Sequence, residues 1–510
     1  MSEEGAAGGR QEPAEQSVGR NTLFSFATQM TTAAGTAVLT LYLVRALGPV
    51  TFGVFSIAVG LGALVLLPSD FGITHSAARF IAERRHQGSQ VAGVIADAVR
   101  LKLIFGAACS AVLFAAAGPI ADAYGEPSLG WPVRWVAIVV FFQSMMSFYR
   151  YAFSSLQRVS EGFKIVASES VAETGASIAI VILAGGAAGA AAGRAAGYGV
   201  GLFVALLLTY RAFGQRAFVH RGPPVVGRKT LLKYAGALLV IDAAFALSSQ
   251  AAPLLIGGVL GARSVGVFQA PSRLIVFLQY PGIAIANAVT PRLARREGHE
   301  PDVGSFTMAL RHILVFQALL MAPAIVWAEP ITRLLLGPGY EQSAGVLRAL
   351  APYIFTAGIA PIVSLGVNYL GEARLRLPIS ILDVVLELGL TVLFLHWWGL
   401  LGAAYATDVG ALLYVPLHLW ILKRLVDLPL RPLALGLVRS LTAAAAMALV
   451  LFACGTHHLS ILEWIVGAVG GFAAFVAVLL LTRQVTVPEL RALWGFVRRR
   501  LPGDDRGREG

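Results

Sequence analysis

The run from Val166 to Leu183, "VASESVAETGASIAIVIL", places Glu169 and Glu173 four residues apart in a segment otherwise suited to lipid. Asp383 and Glu387 repeat that spacing further along, and Asp242 and Asp408 stand singly in other apolar runs. Arg45, Arg79, Arg150, Arg194 and Arg273 lie in or beside apolar runs as well. A carboxylate at membrane depth costs about 2.5–3.5 kcal/mol. Each acid therefore needs a basic partner, a water-filled cavity or a proton. Guanidinium groups grip phosphate oxygens bidentately and stay charged, so intramembrane arginines suit an anionic ligand. Blander roles compete. Arg45 and Arg79 can snorkel to opposite interfaces, Arg150 can anchor a span end, and Arg194 can pair with an acid. Arg273 lies about ten residues, roughly 15 Å, into its span, where no snorkel reaches water easily.

The elements that must position these groups follow from composition. The chain has 510 residues, 57% hydrophobic and 13% charged, with a mean hydropathy of +0.72. Soluble domains carry about 25% charged residues. Apolar runs of about 20 residues recur throughout, each able to cross roughly 30 Å of hydrocarbon, and only helices satisfy their own backbone there. An all-α integral membrane protein is predicted. About fourteen spans fall near 21–46, 52–74, 96–117, 132–154, 163–184, 187–210, 234–258, 264–289, 305–328, 346–368, 377–397, 400–422, 433–454 and 461–482. Alternate connections hold most of the Lys and Arg, including Arg84 and Arg85, Arg211 to Lys233, and Lys423 with Arg424. That alternation predicts both termini on the cytoplasmic side. The net charge of +12 is then largely a topological signal, with no basic soluble face for nucleic acid. Residues 1–20 read as a disordered tail. "VPELRALWGFVRRRLPG" reads as a basic amphipathic segment against anionic membrane lipids, within a cytoplasmic tail spanning 483–510. Cys109 and Cys454 are isolated, so neither a disulfide framework nor a metal centre is expected, and no cofactor is implied.

An internal repeat organises the spans. Leu47 to Phe55 and Leu260 to Phe268 both read L-G-x-x-x-x-G-V-F, an offset of 213. Pro68 and Pro281, then Arg79 and Arg292, match at the same offset. At an offset of 214, Glu169 falls on Asp383 and Glu173 on Glu387. Gly185, Gly189, Gly193 and Gly197 fall on Gly399, Ala403, Thr407 and Ala411, a stripe of small residues that lets helices approach closely. Two pseudo-symmetric six-helix lobes are predicted, at 21–210 and 234–422. A cytoplasmic linker at 211–233 joins them, and a final helix pair occupies 423–482. An even number of spans per lobe relates them by a pseudo-two-fold along the membrane normal.

"YLVRALGPVTFGVFSIA" and "DFGITHSAARFIAE" resemble the first two spans of bacterial oligosaccharide flippases. These form the polysaccharide-transporter branch of the multidrug/oligosaccharidyl-lipid/polysaccharide exporter superfamily, and the resemblance covers about residues 20–480. Related lipid II flippases carry an A-R-x-[FL]-G stretch, where Val44-Arg45-Ala46-Leu47-Gly48 keeps the arginine but not the preceding alanine. They also show an A-x-R-L…P pattern, to which "APSRLIVFLQYP" conforms with one extra residue before Arg273. The resemblance implies two lobes rocking in alternating access around a cationic cavity that holds the diphosphate of an undecaprenyl-linked oligosaccharide. Arg45, Arg79 and Arg273 are then the expected substrate-binding residues. In the lipid II flippase branch a cation sits among the seventh, eleventh and twelfth spans, which implies ion coupling by H+ or Na+ through Asp242, Asp383, Glu387 and Asp408. Glu169 and Glu173 would instead balance cavity arginines. Such an antiporter would lie in the bacterial inner membrane beside glycosyltransferases and a polymerase of the same pathway.

Enzyme readings find little. The chain has no G-x-x-x-x-G-K-[ST], no G-x-S-x-G and no H-E-x-x-H, and no catalytic residue is assigned. A lipid-linked sugar polymerase or ligase would need a sizeable external loop, whereas the external links here are short and His457-His458 reads as a solvated turn. A multidrug or metabolite exporter of the same superfamily is the nearer alternative, though its cavity would be apolar and acidic.

Overall fold

The computed structural model describes residues 14–218, 225–294 and 300–486, with the backbone alone for 14–19, 22–23, 228–242 and 244–245. The expected amphipathic segment at the C-terminus, most of the N-terminal tail, and part of the 211–233 linker lie outside the described residues. Among those described, the chain is nearly all helix and has no strand.

Among the described residues, twelve helical runs are long and apolar enough to cross a membrane. Two of them, Phe24–Asp70 and Ala246–Leu293, have 47 and 48 residues, and counting each as two crossings gives the expected fourteen. The first belongs to α1, Ala14–Asp70, whose 57 residues are interrupted by one non-helical residue, Gly48, at φ 68° and ψ 172°. The second belongs to α7, Arg228–Val289, interrupted at Gly261 with φ 78° and ψ 173°. These are the first glycines of the two L-G-x-x-x-x-G-V-F segments. Glycine adopts this positive φ freely because it has no Cβ. A straight helix of 57 residues would measure roughly 85 Å, far more than one bilayer core.

The chain divides into two units, one of residues 1–47 and 54–246, the other of 48–53 and 247–510. In the first, α1 ends at Asp70, not near residue 74 as expected, because Phe71 (φ 46°) and Gly72 (φ 68°) take left-handed conformations. A short helix not anticipated from the sequence, α2 at Ile73–Glu83, follows the break. Its Ile73, Ala77 and Ile81 form one buried stripe, packed in a core with Val94, Ile95, Phe148 and Tyr149. Those residues come from α3, Gly88–Ala123, and α4, Gly130–Ser155. The small-residue stripe behaves as expected. On α6, Gly186–Phe213, it faces α5, Val159–Ala184. A Cβ on Gly193 would come within 2.3 Å of Ser177 Cα, one on Gly197 within 2.4 Å of Glu173 Cβ, and one on Gly201 within 2.7 Å of Glu169 Cβ. Only glycines allow α6 to lie directly over the two glutamates.

In the second unit, the hexapeptide Gly48–Gly53 lies against the first half-turns after Gly261. A Cβ on Gly53 would stand 1.8 Å from Ala262 O, and one on Gly266 would stand 1.8 Å from Pro49 O. The second glycine of each repeat segment is therefore fixed by its counterpart. Helix α8, Val303–Val326, starts at an Asp302 cap whose side chain accepts the Ser305 N–H. It packs against α15, Leu430–Ala453, and α16, Ile461–Leu481, through Ala318, Ala322, Ala443, Ala444 and Phe475. The Trp327 indole donates to Gly455 O at 3.0 Å and meets Trp464 edge to face, tying down the final helix pair. A short α9, Ala328–Leu336, follows α8. The tenth crossing, expected as one span, is instead α10 (Ser343–Ala349), α11 (Ala351–Ala357) and α12 (Ala360–Tyr369). Pro352 and Pro361 sit at the first turns of α11 and α12, where their missing N–H costs nothing, and Gly358 ends α11.

Candidate functional site

One of the two acids of the first unit has a basic partner. Arg194 on α6 donates to Glu173 Oε1 and to the Tyr198 hydroxyl at 3.3 Å, and its guanidinium lies 5.1 Å from the Tyr198 ring centre. Glu169, one turn away, accepts from Ser170 at 3.3 Å. Glycines at 193, 197 and 201 bring the two helices close enough for this pairing. The reading of Arg194 as an ion-pair partner describes the geometry.

The second unit keeps the acids and removes the cation. On α13, Leu377–Trp398, Asp383 accepts from Ser248 at 3.1 Å and Glu387 accepts from the Thr407 hydroxyl at 2.9 Å. Asp408, on α14 at Leu400–Val426, accepts the Tyr353 N–H at 2.9 Å. That N–H belongs to the first turn of α11, which the break in the tenth crossing leaves without an intrahelical acceptor. Glu387 Oε2 and Asp383 Oδ1 converge on Gly410, 3.2 and 3.3 Å from where its Cβ would stand. The repeat offset of 214 that carries Glu169 to Asp383 also carries Arg194 to Asp408. The position that pairs with Glu173 in the first unit is thus a third carboxylate in the second. Among the described residues none of these three acids has a basic partner, and no cluster is built to hold a metal ion. The side chain of Asp242 lies outside the described residues.

The expected substrate arginines fall in both units. Arg45 is exposed on α1 and belongs to the first unit. Arg79 is on α2, outside the crossing helices, and pairs with Glu83 at 3.0 Å with both side chains about half exposed. Exposed pairs of this kind are worth at most about 1 kcal/mol. Arg273 is half-buried in the second part of α7, in the second unit. Arg150, read as a span-end anchor, stacks on the Tyr151 ring at 4.7 Å.

Sequence reasoning missed one charged cluster altogether. Lys102 on α3 is fully buried and donates to Asp70 Oδ1 and, at 3.0 Å, to Thr74 Oγ1. The Thr74 hydroxyl in turn donates to Asp70 Oδ1. A lone lysine inside the apolar "LKLIFGAACSAVLFAAAG" was the available signal, but its partner lies 32 residues away and only the fold joins them.

The profile of the polysaccharide biosynthesis protein family matches residues 18–297. The chain belongs to that family. Across 403 residues it is 22% identical to the "Putative O-antigen transporter" of Shigella flexneri, covering 75% of this chain and 92% of that protein. Its fold is similar to that of the lipid II flippase MurJ in an inward closed conformation, with a TM-score of 0.73 at 13% identity over 91% of this chain and 99% of the other. It is also similar to an inward-facing multidrug resistance transporter of the MATE family, with a TM-score of 0.55 at 18% identity over 80% and 95%. The family member described here is therefore a multi-span membrane protein with the flippase and exporter fold.

Proposed function

We propose that the protein flips polyprenyl-diphosphate-linked oligosaccharide units from the cytoplasmic to the outer face of the bacterial inner membrane, with both termini cytoplasmic. Alternating access of two lobes would be coupled to H+ or Na+. The match to the polysaccharide biosynthesis family carries the substrate class, and the likeness to the O-antigen transporter agrees with it. The unpaired acids of the second unit support the coupling. Asp383, Glu387 and Asp408 are three carboxylates with hydroxyl and N–H donors but no basic partner among the described residues, which favours a proton over Na+ as the coupled ion. Asp242 joins them in the proposal by sequence position alone. Arg194 pairs with Glu173, which sets the first unit's acids apart from those of the second. Arg45, Arg79 and Arg273 are proposed to meet the diphosphate at different stages, Arg273 during the deepest passage. A drug exporter fits the MATE-like fold but gives no role to Arg273.

One experiment tests both halves. Asp383→Asn with Glu387→Gln is expected to lower export and abolish its dependence on an imposed H+ or Na+ gradient, with normal membrane levels. Glu169→Gln with Glu173→Gln should leave that dependence intact. Arg273→Ala should accumulate undecaprenyl-linked glycan on the cytoplasmic side, and Arg273→Lys should retain part of the activity, since lysine keeps charge without the planar fork. Normal polymer export by Arg273→Ala at normal protein levels would overturn the diphosphate role. Equal gradient dependence in all variants would overturn the division between lobes.

A further inference from the structure

The first unit contains a cavity of about 320 Å3 lined on its polar side by Asp70, Thr74, His75, Ser144, Ser147 and Tyr151. That volume is in the range of small-molecule pockets, about 300–1,000 Å3. Asp70 is 23% exposed while Lys102 behind it is sealed, so the cavity meets the carboxylate and not the ammonium. Asp70 Oδ1 is occupied by Lys102 and the Thr74 hydroxyl, whereas Oδ2 has only a long 3.4 Å contact from the Thr74 N–H. An ionised carboxylate offers about four acceptor positions, so Oδ2 keeps capacity for another donor. A second, independent sign of a ligand is Ser144. It is 2% exposed, lines the cavity, and its Oγ has no hydrogen-bond partner. Buried hydroxyls are normally satisfied, so an orphan facing a cavity marks a group that something else completes. His75 and Tyr151 meet edge to face at 4.9 Å and supply an aromatic wall with polar edges, stiffened by Arg150 on the Tyr151 ring. The backbone next to Asp70 is held in an unusual form, with Phe71 at φ 46° and its ring stacked on Phe105 at 5.1 Å.

The internal repeat does not carry this cluster into the second unit. Offsets of 213 and 214 carry Asp70 to Ile283 and Ala284, and Lys102 to Val315 and Phe316. The repeat positions in the second unit are apolar, so the charged pair is particular to the first.

We propose that this cavity recognises a sugar residue of the lipid-linked oligosaccharide, an inference that rests on the flippase reading above. Asp70 Oδ2 accepts from a sugar hydroxyl, Ser144 Oγ completes its hydrogen bonding with another, and the Tyr151 and His75 rings take the sugar's C–H face. The diphosphate does not fit here. The carboxylate at the wall repels an anion, and the one lysine of the cluster is turned away behind it.

The test uses the full chain in lipid nanodiscs, with Cys109 and Cys454 replaced by alanine and Ser147→Cys as a reporter labelled by a small methanethiosulfonate. Free N-acetylglucosamine, galactose and rhamnose are the sugar probes, and inorganic pyrophosphate is the anion probe. At least one sugar is expected to slow labelling, and pyrophosphate is not. Adding Ser144→Ala should raise the half-protecting sugar concentration by about threefold to tenfold, the range one neutral hydrogen bond supplies. Its melting temperature should not fall, because the lost hydroxyl had no protein partner. The proposal is overturned if no sugar protects, if pyrophosphate protects instead, or if Ser144→Ala leaves protection unchanged. Translocation of lipid-linked oligosaccharide by the parent protein is measured in parallel. Translocation without sugar protection sinks this subsite alone, while sugar protection without translocation sinks the flippase reading.

Discussion

The Asp70–Lys102 pair predicts an asymmetric response to mutation. Among the described residues, Asp70→Asn removes the only anion touching a lysine that is fully buried, whereas Lys102→Met strips the cation from a carboxylate that is 23% exposed to a cavity. Leaving a buried charge without its partner costs about 3–5 kcal/mol. The remaining contacts of Lys102, the Thr74 hydroxyl at 3.0 Å and the Phe148 ring at 5.9 Å, cannot neutralise it. Lys102→Met instead loses a charge-assisted hydrogen bond of about 1.5–3 kcal/mol, partly offset because methionine fills the apolar path of the lysine stem. Asp70→Asn is thus the more damaging single change by about 2 kcal/mol. Replacing both partners by neutral groups is often neutral, so the double variant should lie within about 1 kcal/mol of the parent. The coupling energy is then at least about 3 kcal/mol, large for a contacting pair. Unfolding in mixed micelles titrated with SDS, followed by far-UV circular dichroism, ranks all four proteins. The reasoning is refuted if Lys102→Met is the worse single variant, or if the double variant is no more stable than the worse single one.

Gly266→Ala should destabilise by about 1–3 kcal/mol or more, as an overpacked contact does, because its Cβ would meet a backbone oxygen at 1.8 Å. Gly258→Ala on the same helix has open space and serves as the control, and equal melting temperatures for the two would refute the contact. At the start of α8, hydrogen bonds from Ser305 hold the Asp302 carboxyl below the usual carboxylate range. Its capping contribution is therefore complete above the unfolded value of about 3.9 and is lost as pH falls through the lower folded value. Hydrogen exchange in the first turn of α8 should quicken on acidification in the parent and be fast at every pH in Asp302→Ala. A first turn whose exchange ignores both would show that the cap holds nothing.

Much of this architecture was legible because lipid imposes strong, repetitive signals. Apolar length gave the crossings, and small residues four apart gave the face of α6 that lies on Glu169 and Glu173. The twin L-G-x-x-x-x-G-V-F segments were visible as a repeat, while their reciprocal contact needed the fold. Breaks were harder. The α2 helix follows left-handed Phe71 and Gly72, and an aromatic residue at positive φ has no sequence signature. The tenth crossing averages as one apolar run, although Pro352, Gly358 and Pro361 divide it. Among charged groups, the i, i+4 acids announced themselves by periodicity. Asp70 and Lys102 did not, because their 32-residue separation obeys no helical period. The substitution of Arg194 by Asp408 was equally readable from the 214 offset, but its meaning emerged only when Glu173 proved to be paired and Glu387 did not.

The single-residue joints at Gly48 and Gly261 bear on how the protein is made. Each leaves two crossings with no loop between them, so a ribosome delivers both to the insertion machinery as one helical hairpin. Rotation of one crossing about its axis is passed directly to the other. Adding a residue at the joint would turn one crossing by about 100° relative to its partner and present its lipid-facing side chains to protein. Each joint therefore sets the rotational phase of its helix pair.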